Sequence, residues 1–138
     1  MDHAQHKITP VLMFSGQAEE AMRYYLSIFD QAEILSLERY GANDVAAEGT
    51  VMRATLSLYG HRFMCIDSSV PHDFTFTPAI SLAITCTTEE ESERLFGQLA
   101  RDGSVFMPLA AYPFSPKFGW VADKYGVSWQ VTLDDQVR

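Results

Sequence analysis

The residues able to do nucleophilic or metal chemistry are few and widely separated in this chain. Cys65 and Cys86 are its only cysteines, and each lies in an apolar stretch. A reactive thiolate needs positive neighbours, whereas Cys65 has the carboxylate of Asp67 two residues away. The four histidines fall in the polar N-terminal segment, at a turn and in a connecting segment: His3, His6, His61 and His72. We therefore expect buried structural thiols, histidines exposed to solvent, and no identifiable catalytic residue.

A binding surface is better supported, because polar and apolar residues alternate along the last apolar segment. Ser128 and Gln130 would share one face of a strand there, with Trp129 and Val131 on the other. An apolar concavity with a few placed polar groups is the usual form of a small-molecule site. Aromatic residues that precede this segment could supply the apolar surface: Tyr112, Phe114, Phe118 and Trp120.

The elements that must position these residues follow a regular order in the first half of the chain. Residues 8–14 form an apolar run typical of a buried strand, and residues 17–29 repeat apolar side chains at helical spacing. Strand patterns follow at 32–40, 50–59 and 62–67, the last two joined by the turn Gly60-His61. The first half therefore predicts the order βαβββ.

The second half repeats that order. Thr77-Pro78 opens an apolar strand that runs through Cys86, and Thr88 begins a capping box with Glu91 at the start of a helix. Asp102-Gly103 ends the helix, and strand patterns follow at 105–111, 118–123 and 127–133. The second half is thus also βαβββ.

Two copies of one unit predict an α+β fold of paired βαβββ modules with a mostly antiparallel, curved sheet. We expect one domain over residues 1–138, with modules at about 8–68 and 77–134 that pair around a cleft. The alternative is a ferredoxin-like βαββαβ domain. It has one strand fewer per half than the pattern shows.

Composition excludes several classes of function. Of 138 residues, 47% are hydrophobic, and the net charge is -8 with the basic residues scattered singly. A nucleic-acid binder needs clustered lysines and arginines, and a membrane span needs about 18 consecutive apolar residues. Neither is present. The N-terminus lacks the apolar core of a secretory signal, so we expect a cytoplasmic protein without nucleic-acid or membrane partners.

Several segments resemble one known family. The sequence FGWVADKYGVSWQ at residues 118–130 is similar to the C-terminal signature of PhnB-like proteins. FTFTPAIS at 74–81, MPL at 107–109 and PVLMF at 10–14, followed by AEEA at 18–21, match the same family in the expected order. These proteins belong to the glyoxalase/bleomycin resistance/dioxygenase (vicinal oxygen chelate) superfamily, and many carry the name 3-demethylubiquinone-9 3-methyltransferase domain. The resemblance implies the paired βαβββ fold and a homodimer.

The resemblance also implies where a metal would bind. Metal-dependent relatives use side chains from the first and last strands of each half, with a glutamate four residues after the glycine that corresponds to Gly126. This chain has Gln130 there, and Ser81 in place of a histidine on the opening strand of the second half. Asp67 is the one carboxylate left, and one carboxylate does not make a site. We expect no metal and no cofactor.

The methyltransferase name is also open to a physical test. Binding of S-adenosylmethionine usually uses a glycine-rich turn between a strand and a helix of a parallel sheet. The one candidate turn is Ser15-Gly16-Gln17, which has a single glycine. We therefore do not expect methyl transfer.

Three hypotheses about function follow. The first is a metal-free site for a small molecule, with polar contacts from Gln130, Ser81 and Asp67 and aromatic contacts from Trp120, Tyr112 and Phe118. The second is a metal-dependent lyase, isomerase or dioxygenase of the same superfamily. The third is a structural dimer whose cleft is filled by its own side chains.

Overall fold

The computed structural model describes residues 7–134. The chain folds into two compact units, with the boundary between Asp73 and Phe74. This boundary lies inside the connecting segment that the sequence predicts between the two repeats. His3 and His6 lie outside the described residues. Within 7–134, no helix combines the length and the apolar composition needed to cross a bilayer.

The first unit is a four-stranded sheet with one helix. Its elements are β1 (Val11–Phe14), α1 (Ala18–Ile28), β2 (Ala32–Arg39), β3 (Val51–Leu58) and β4 (His61–Asp67). The strands lie in the order β1-β4-β3-β2, with β1 parallel to β4 and the other pairs antiparallel.

The second unit repeats this arrangement. Its elements are β5 (Leu82–Cys86), α2 (Glu89–Ala100), β6 (Ser104–Tyr112), β7 (Ser115–Ala122) and β8 (Ser128–Leu133). The order is β5-β8-β7-β6, again with one parallel pair, β5 and β8. The predicted α+β fold and its βαβββ repeat are confirmed, and the ferredoxin-like alternative is excluded because each unit has four strands and one helix.

Each helix covers one face of its own sheet, and that face is the core of the unit. In the first unit, Met22 and Tyr25 of α1 and Leu56 of β3 are fully buried. In the second unit, Leu95 and Leu99 of α2 are fully buried, as are the sheet residues Val121 and Val131. We call the opposite side of the second sheet, turned away from α2, its far face.

The two helices begin in different ways. Thr88 caps α2 through its hydroxyl, which accepts from the Glu91 amide at 3.1 Å. This confirms the predicted capping box, although the Glu91 carboxylate accepts from the amide of Thr87 rather than that of Thr88. Gln17 provides no side-chain cap for α1. The cap is supplied instead by Asp67, whose Oδ1 accepts from the amides of Gly16 and Ala18.

One predicted strand begins later than its apolar pattern suggests. The strand expected from Thr77 starts only at Leu82. The Thr77 hydroxyl accepts from the Ala79 amide at 3.4 Å, which closes a local turn, and Pro78 has no amide proton for a strand ladder. Ser81 therefore lies just before β5 rather than within it.

Candidate ligand-binding face of the second sheet

Strand pairing decides which side chains share the far face. Trp120 pairs with Gln130, and Phe118 pairs with Thr132, across the antiparallel strands β7 and β8. Directly paired residues point to the same side of a sheet, and successive residues point to opposite sides. The far face therefore carries these four side chains together with the β5 residues that pair with Gln130 and Thr132, namely Ala83 and Thr85.

The position of Gly119 shows which side α2 covers. A Cβ added to Gly119 would lie 2.5 Å from Cε1 of Phe96 on α2, so this residue faces the helix. Gly119 pairs with Val131, and both Val131 and Trp129 are buried. Gln130 and Trp120, in the alternate positions, lie on the far face, as the alternation along residues 127–133 predicts.

A hydrogen-bonded chain connects three far-face side chains at one end of the sheet. The indole Nε1 of Trp120 donates to the Ser128 hydroxyl at 2.9 Å. The Ser128 oxygen lies 2.6 Å from the hydroxyl of Ser81. The ring of Phe106 packs beside Trp120, with a centroid separation of 4.9 Å. Aromatic surface and an ordered hydroxyl pair are therefore adjacent here.

Three aromatic rings form a cluster where β6 turns into β7. Tyr112 and Phe114 stack with their ring centroids 5.6 Å apart and their planes 9° from parallel. Phe118 meets both rings edge-on, at 5.0 Å from Phe114 and 6.1 Å from Tyr112. The Tyr112 hydroxyl is engaged, because it donates to the carbonyl of Pro108 at 2.7 Å. Phe114 remains 62% exposed, which leaves apolar area available to a ligand.

A groove of about 450 Å³ runs between this cluster and the ends of β5 and β8. Its size lies within the range of small-molecule sites, about 300–1,000 Å³. The hydroxyls of Ser115 and Thr132 lie 3.1 Å apart at its wall. The lining combines two rings, three hydroxyls and one carboxylate: Phe114, Phe118, Thr85, Ser115, Thr132 and Asp134, with Leu133 completing it.

Asp67, predicted as a ligand contact, lies in the core of the first unit instead. It belongs to the first unit and is only 2% exposed, on the side of the sheet that α1 covers. Its Oδ1 accepts from the Gly16 and Ala18 amides at 2.8 and 2.9 Å, and its Oδ2 from the Val51 amide at 2.8 Å. These bonds hold α1, β3 and β4 together.

The thiols also lie within the helix-covered cores. Cys65 and Cys86 are free and fully buried. Burial raises the pKa of the Cys65 thiol to about 12, and the nearby Asp67 carboxylate adds to this. Burial likewise raises the pKa of Cys86 to about 12, with a further contribution from Glu91. Neither thiol is poised for nucleophilic chemistry.

Strand residues at the positions that the superfamily uses for a metal offer no suitable donor set. On the first sheet, the side away from α1 carries Val11 and Met13 of β1, paired with Met64 and Ile66 of β4. On the second sheet the corresponding polar residues are Gln130 and Ser81. Among residues 7–134, no three His, Cys, Asp or Glu side chains come together as metal ligands. The donor set does not fit a divalent cation, which needs carboxylates or imidazoles.

Of the predicted site residues, all except Asp67 therefore lie on or beside the far face. Gln130, Trp120, Phe118 and Ser81 are brought together on or beside the far face, and Tyr112 lies in the adjacent cluster. Thr85 and Ser115 also line the groove and were not predicted. Thr85 lies at the groove because of the register in which β5 pairs with β8. The sequence of either strand alone does not indicate this register. Arg53 of β3 pairs with Glu38 at 2.8 Å on an exposed surface of the first sheet.

Comparisons with known proteins agree on one family. The family model described as 3-demethylubiquinone-9 3-methyltransferase matches residues 6–132. A PhnB protein from Bacillus cereus has a solved structure that is 61% identical, with a TM-score of 0.91, covering 94% of this chain and 100% of that one. Protein YjdN of Escherichia coli is 24% identical over 94% of this chain and 96% of its own length.

A more distant structure shows the fold alone. A glyoxylase/bleomycin resistance protein/dioxygenase domain from Frankia is 18% identical, with a TM-score of 0.66, and the match covers 95% of this chain and 93% of that one. The predicted resemblance to PhnB-like proteins is confirmed by the family model and the Bacillus cereus structure.

Proposed function

We propose that this chain, which belongs to the 3-demethylubiquinone-9 3-methyltransferase family, binds a small, partly aromatic molecule without a metal. Its relatives include a PhnB protein and proteins of the glyoxalase/bleomycin-resistance fold. The site is the far face of the second sheet. The groove beside Phe114 and Phe118 is the observation that carries this proposal, because it combines the exposed ring of Phe114 and the half-buried ring of Phe118 with hydroxyl groups. Rings supply apolar contact, and hydroxyls orient the ligand.

The polar groups of the far face are suited to hydrogen bonding rather than to chelation. Gln130 offers one amide that can both donate and accept, and Thr85 and Thr132 each offer a hydroxyl. Such groups bind an organic molecule with neutral polar substituents. They cannot balance the charge of a dication, which is why the proposal is a metal-free site.

Methyl transfer is not part of the proposal, despite the family's name. The two four-stranded sheets are mostly antiparallel, with one parallel pair in each. The turn at Ser15-Gly16-Gln17 leads into α1, and the Gly16 amide donates to Asp67. This amide is therefore already committed, and the turn is a poor place to bind the carboxylate or ribose of S-adenosylmethionine.

The partner proposals follow from the family resemblance and from charge. We expect a homodimer in the cytoplasm, with neither nucleic acid nor membrane as partner, since the chain carries a net charge of -8. Multi-angle light scattering on purified protein should give twice the mass of the chain. A mass equal to one chain, independent of concentration, would contradict the dimer.

Binding is tested with a collection of bicyclic aromatic compounds and ligand-observed NMR, followed by dissociation constants for the strongest compounds. Phe114→Ala should weaken binding by about tenfold, because it removes one side of the groove. Phe74→Ala is the matched control. Phe74 is 61% exposed, nearly the same as Phe114 at 62%, but it does not line the groove. If both variants bind as the unaltered protein does, the groove is not the site.

A further inference from the structure

The hydrogen bonds at Trp120, Ser128 and Ser81 have only one consistent direction. An indole Nε1–H is a donor and cannot accept, so the Ser128 oxygen accepts from Trp120 at 2.9 Å. Ser128 is 2% exposed, so water does not provide an acceptor for its own hydroxyl proton. Its other partner is the Ser81 hydroxyl at 2.6 Å.

This geometry fixes the proton on Ser128. If Ser81 donated to Ser128, the Ser128 oxygen would accept twice and its proton would be buried without an acceptor, at a cost of about 1–3 kcal/mol. The proton of Ser128 therefore points to Ser81, and the Ser81 oxygen accepts. The proton of Ser81 is then directed away from Ser128, and Ser81 is only partly buried.

We propose that Ser81 is the hydrogen-bond donor of this binding face, and that the face selects a planar aromatic ligand with a carbonyl oxygen close to the Trp120 ring. The proposal rests on the proposed function, since it names the ligand class of the far face. Ser81 and Trp120 lie at the other end of that face from the groove and do not line it. The burial of Ser128 sets the direction of the chain, because its proton has no acceptor other than Ser81. Ser81 and the Trp120 ring touch the ligand, and Ser128 is a positioning residue.

Gln130 cannot make this selection on its own. Its amide carries both an acceptor oxygen and donor hydrogens, so it can adapt to a ligand of either kind by rotating. Ser81 cannot turn its proton back to Ser128, so a ligand that covers Ser81 without offering an acceptor leaves this proton unpaired, although one lone pair of the Ser81 oxygen stays free. The preference for an acceptor on the ligand therefore comes from Ser81.

Two probes of nearly equal shape test the inference. In 2-acetylnaphthalene the ring carries a ketone, and in 2-isopropenylnaphthalene a CH₂ group replaces the ketone oxygen. The measured quantity is the ratio of their dissociation constants, obtained by ligand-observed NMR titration. Ser81→Ala should shift this ratio against the ketone by about fivefold to tenfold, with little change for the alkene. Ser27→Ala, which removes an exposed hydroxyl on α1, should leave the ratio unchanged.

Trp120→Phe provides the second variant. It keeps a ring and removes the N–H, but the buried Ser128 proton still has no acceptor other than Ser81, so the outward proton of Ser81 is kept. The ratio of the dissociation constants should therefore stay that of the unaltered protein, and a shift against the ketone would show that Ser81 donates to Ser128 instead. Two-dimensional NMR spectra of both variants show whether they are folded.

The outcomes separate the two proposals. A ratio that Ser81→Ala leaves unchanged, including equal weakening of both probes, overturns the donor role of Ser81 and leaves the binding face in place. Failure of both probes to bind the unaltered protein at millimolar concentration overturns the aromatic ligand class as well. If neither Phe114→Ala nor Trp120→Ala weakens the binding of the two probes, the site lies elsewhere and the proposed function itself is overturned.

Discussion

The carboxylate of Asp67 joins three segments of the first unit. It accepts from the amides of Gly16 and Ala18 at the start of α1 and from the amide of Val51 at the start of β3. Hydrogen bonds to a charged acceptor contribute about 1.5–3 kcal/mol each, and a buried donor left without its partner costs about as much. This residue is therefore a structural anchor.

Replacement of this anchor should be costly even when its shape is kept. Asp67→Asn puts an NH₂ group against backbone amides that are themselves donors, so we expect a loss of about 2–4 kcal/mol in the free energy of unfolding. Urea denaturation followed by circular dichroism measures it. Asp73→Asn, at an exposed position, is the control and should change stability by less than about 0.5 kcal/mol. A similar small change for Asp67→Asn would show that the anchor is dispensable.

The two cysteines should be nearly inert in the folded protein. Both thiols are fully buried, and burial raises the pKa of each to about 12. The nucleophilic thiolate is then a minor species at pH 8, and its fraction rises only as the pH approaches 12. We expect Ellman's reagent to label the native protein slowly at pH 8 and to label both thiols at once in urea. Native labelling at the rate of free cysteine would contradict the burial of that thiol.

At the scale of single elements, the contact between α2 and β7 depends on a glycine. A Cβ at Gly119 would lie 2.5 Å from Phe96 Cε1 and 3.2 Å from the Cα of Leu109. Gly119→Ala should therefore lower the free energy of unfolding by about 1–3 kcal/mol. Because the nearest atoms belong to the Phe96 ring, adding Phe96→Leu should recover part of the loss, as measured by thermal unfolding.

Gly97→Ala is the control, with an effect of the opposite sign. Gly97 lies within α2, and a Cβ there would meet no atom within 4 Å. The substitution should stabilise the protein by about 0.5–1 kcal/mol through helix propensity alone. Equal effects of the two substitutions would mean that Gly119 is not in close contact with α2.

The helices and strands were largely predictable because their side-chain periods are local. The helical spacing of residues 17–29 and the capping box at Thr88 gave both helices to within a residue or two. The start of β5 was missed, since the turn closed by Thr77 and Ala79 interrupts an apolar run that looks continuous in the sequence. A short turn leaves little trace in hydrophobic periodicity.

The residues of the candidate site were predictable only where the alternation of buried and outward-facing residues lies within a single strand. Gln130 and Trp120 could be placed because alternation separates them from the buried Trp129 and Val121. Asp67 was assigned to the wrong side, although its alternation with the buried Phe63 and Cys65 places it in the core. The hydroxyl of Thr85 joins the groove through pairing between β5 and β8, which depends on the folded register.

For the whole molecule, metal content is the measurement that separates a binding protein from a metal-dependent enzyme. The protein, purified and dialysed against Mn²⁺, Ni²⁺ or Zn²⁺, should retain far less than one equivalent by mass spectrometry of the metal. Gln130→Glu should not change this, because one added carboxylate does not supply the several carboxylate or imidazole ligands that a dication needs. One tightly held equivalent in the unaltered protein would contradict the metal-free site.

The different starts of the two helices have a consequence for the order of folding. The cap of α2 comes from Thr88, next to the helix in sequence, so this helix can nucleate without help from distant segments. The cap of α1 comes from Asp67, 49 residues beyond Ala18, and requires β4 to be in place. Closing so long a loop costs entropy before the contact forms. The two halves share one topology, yet the cap of α2 forms between residues adjacent in sequence, whereas the cap of α1 forms only once β4 is in place.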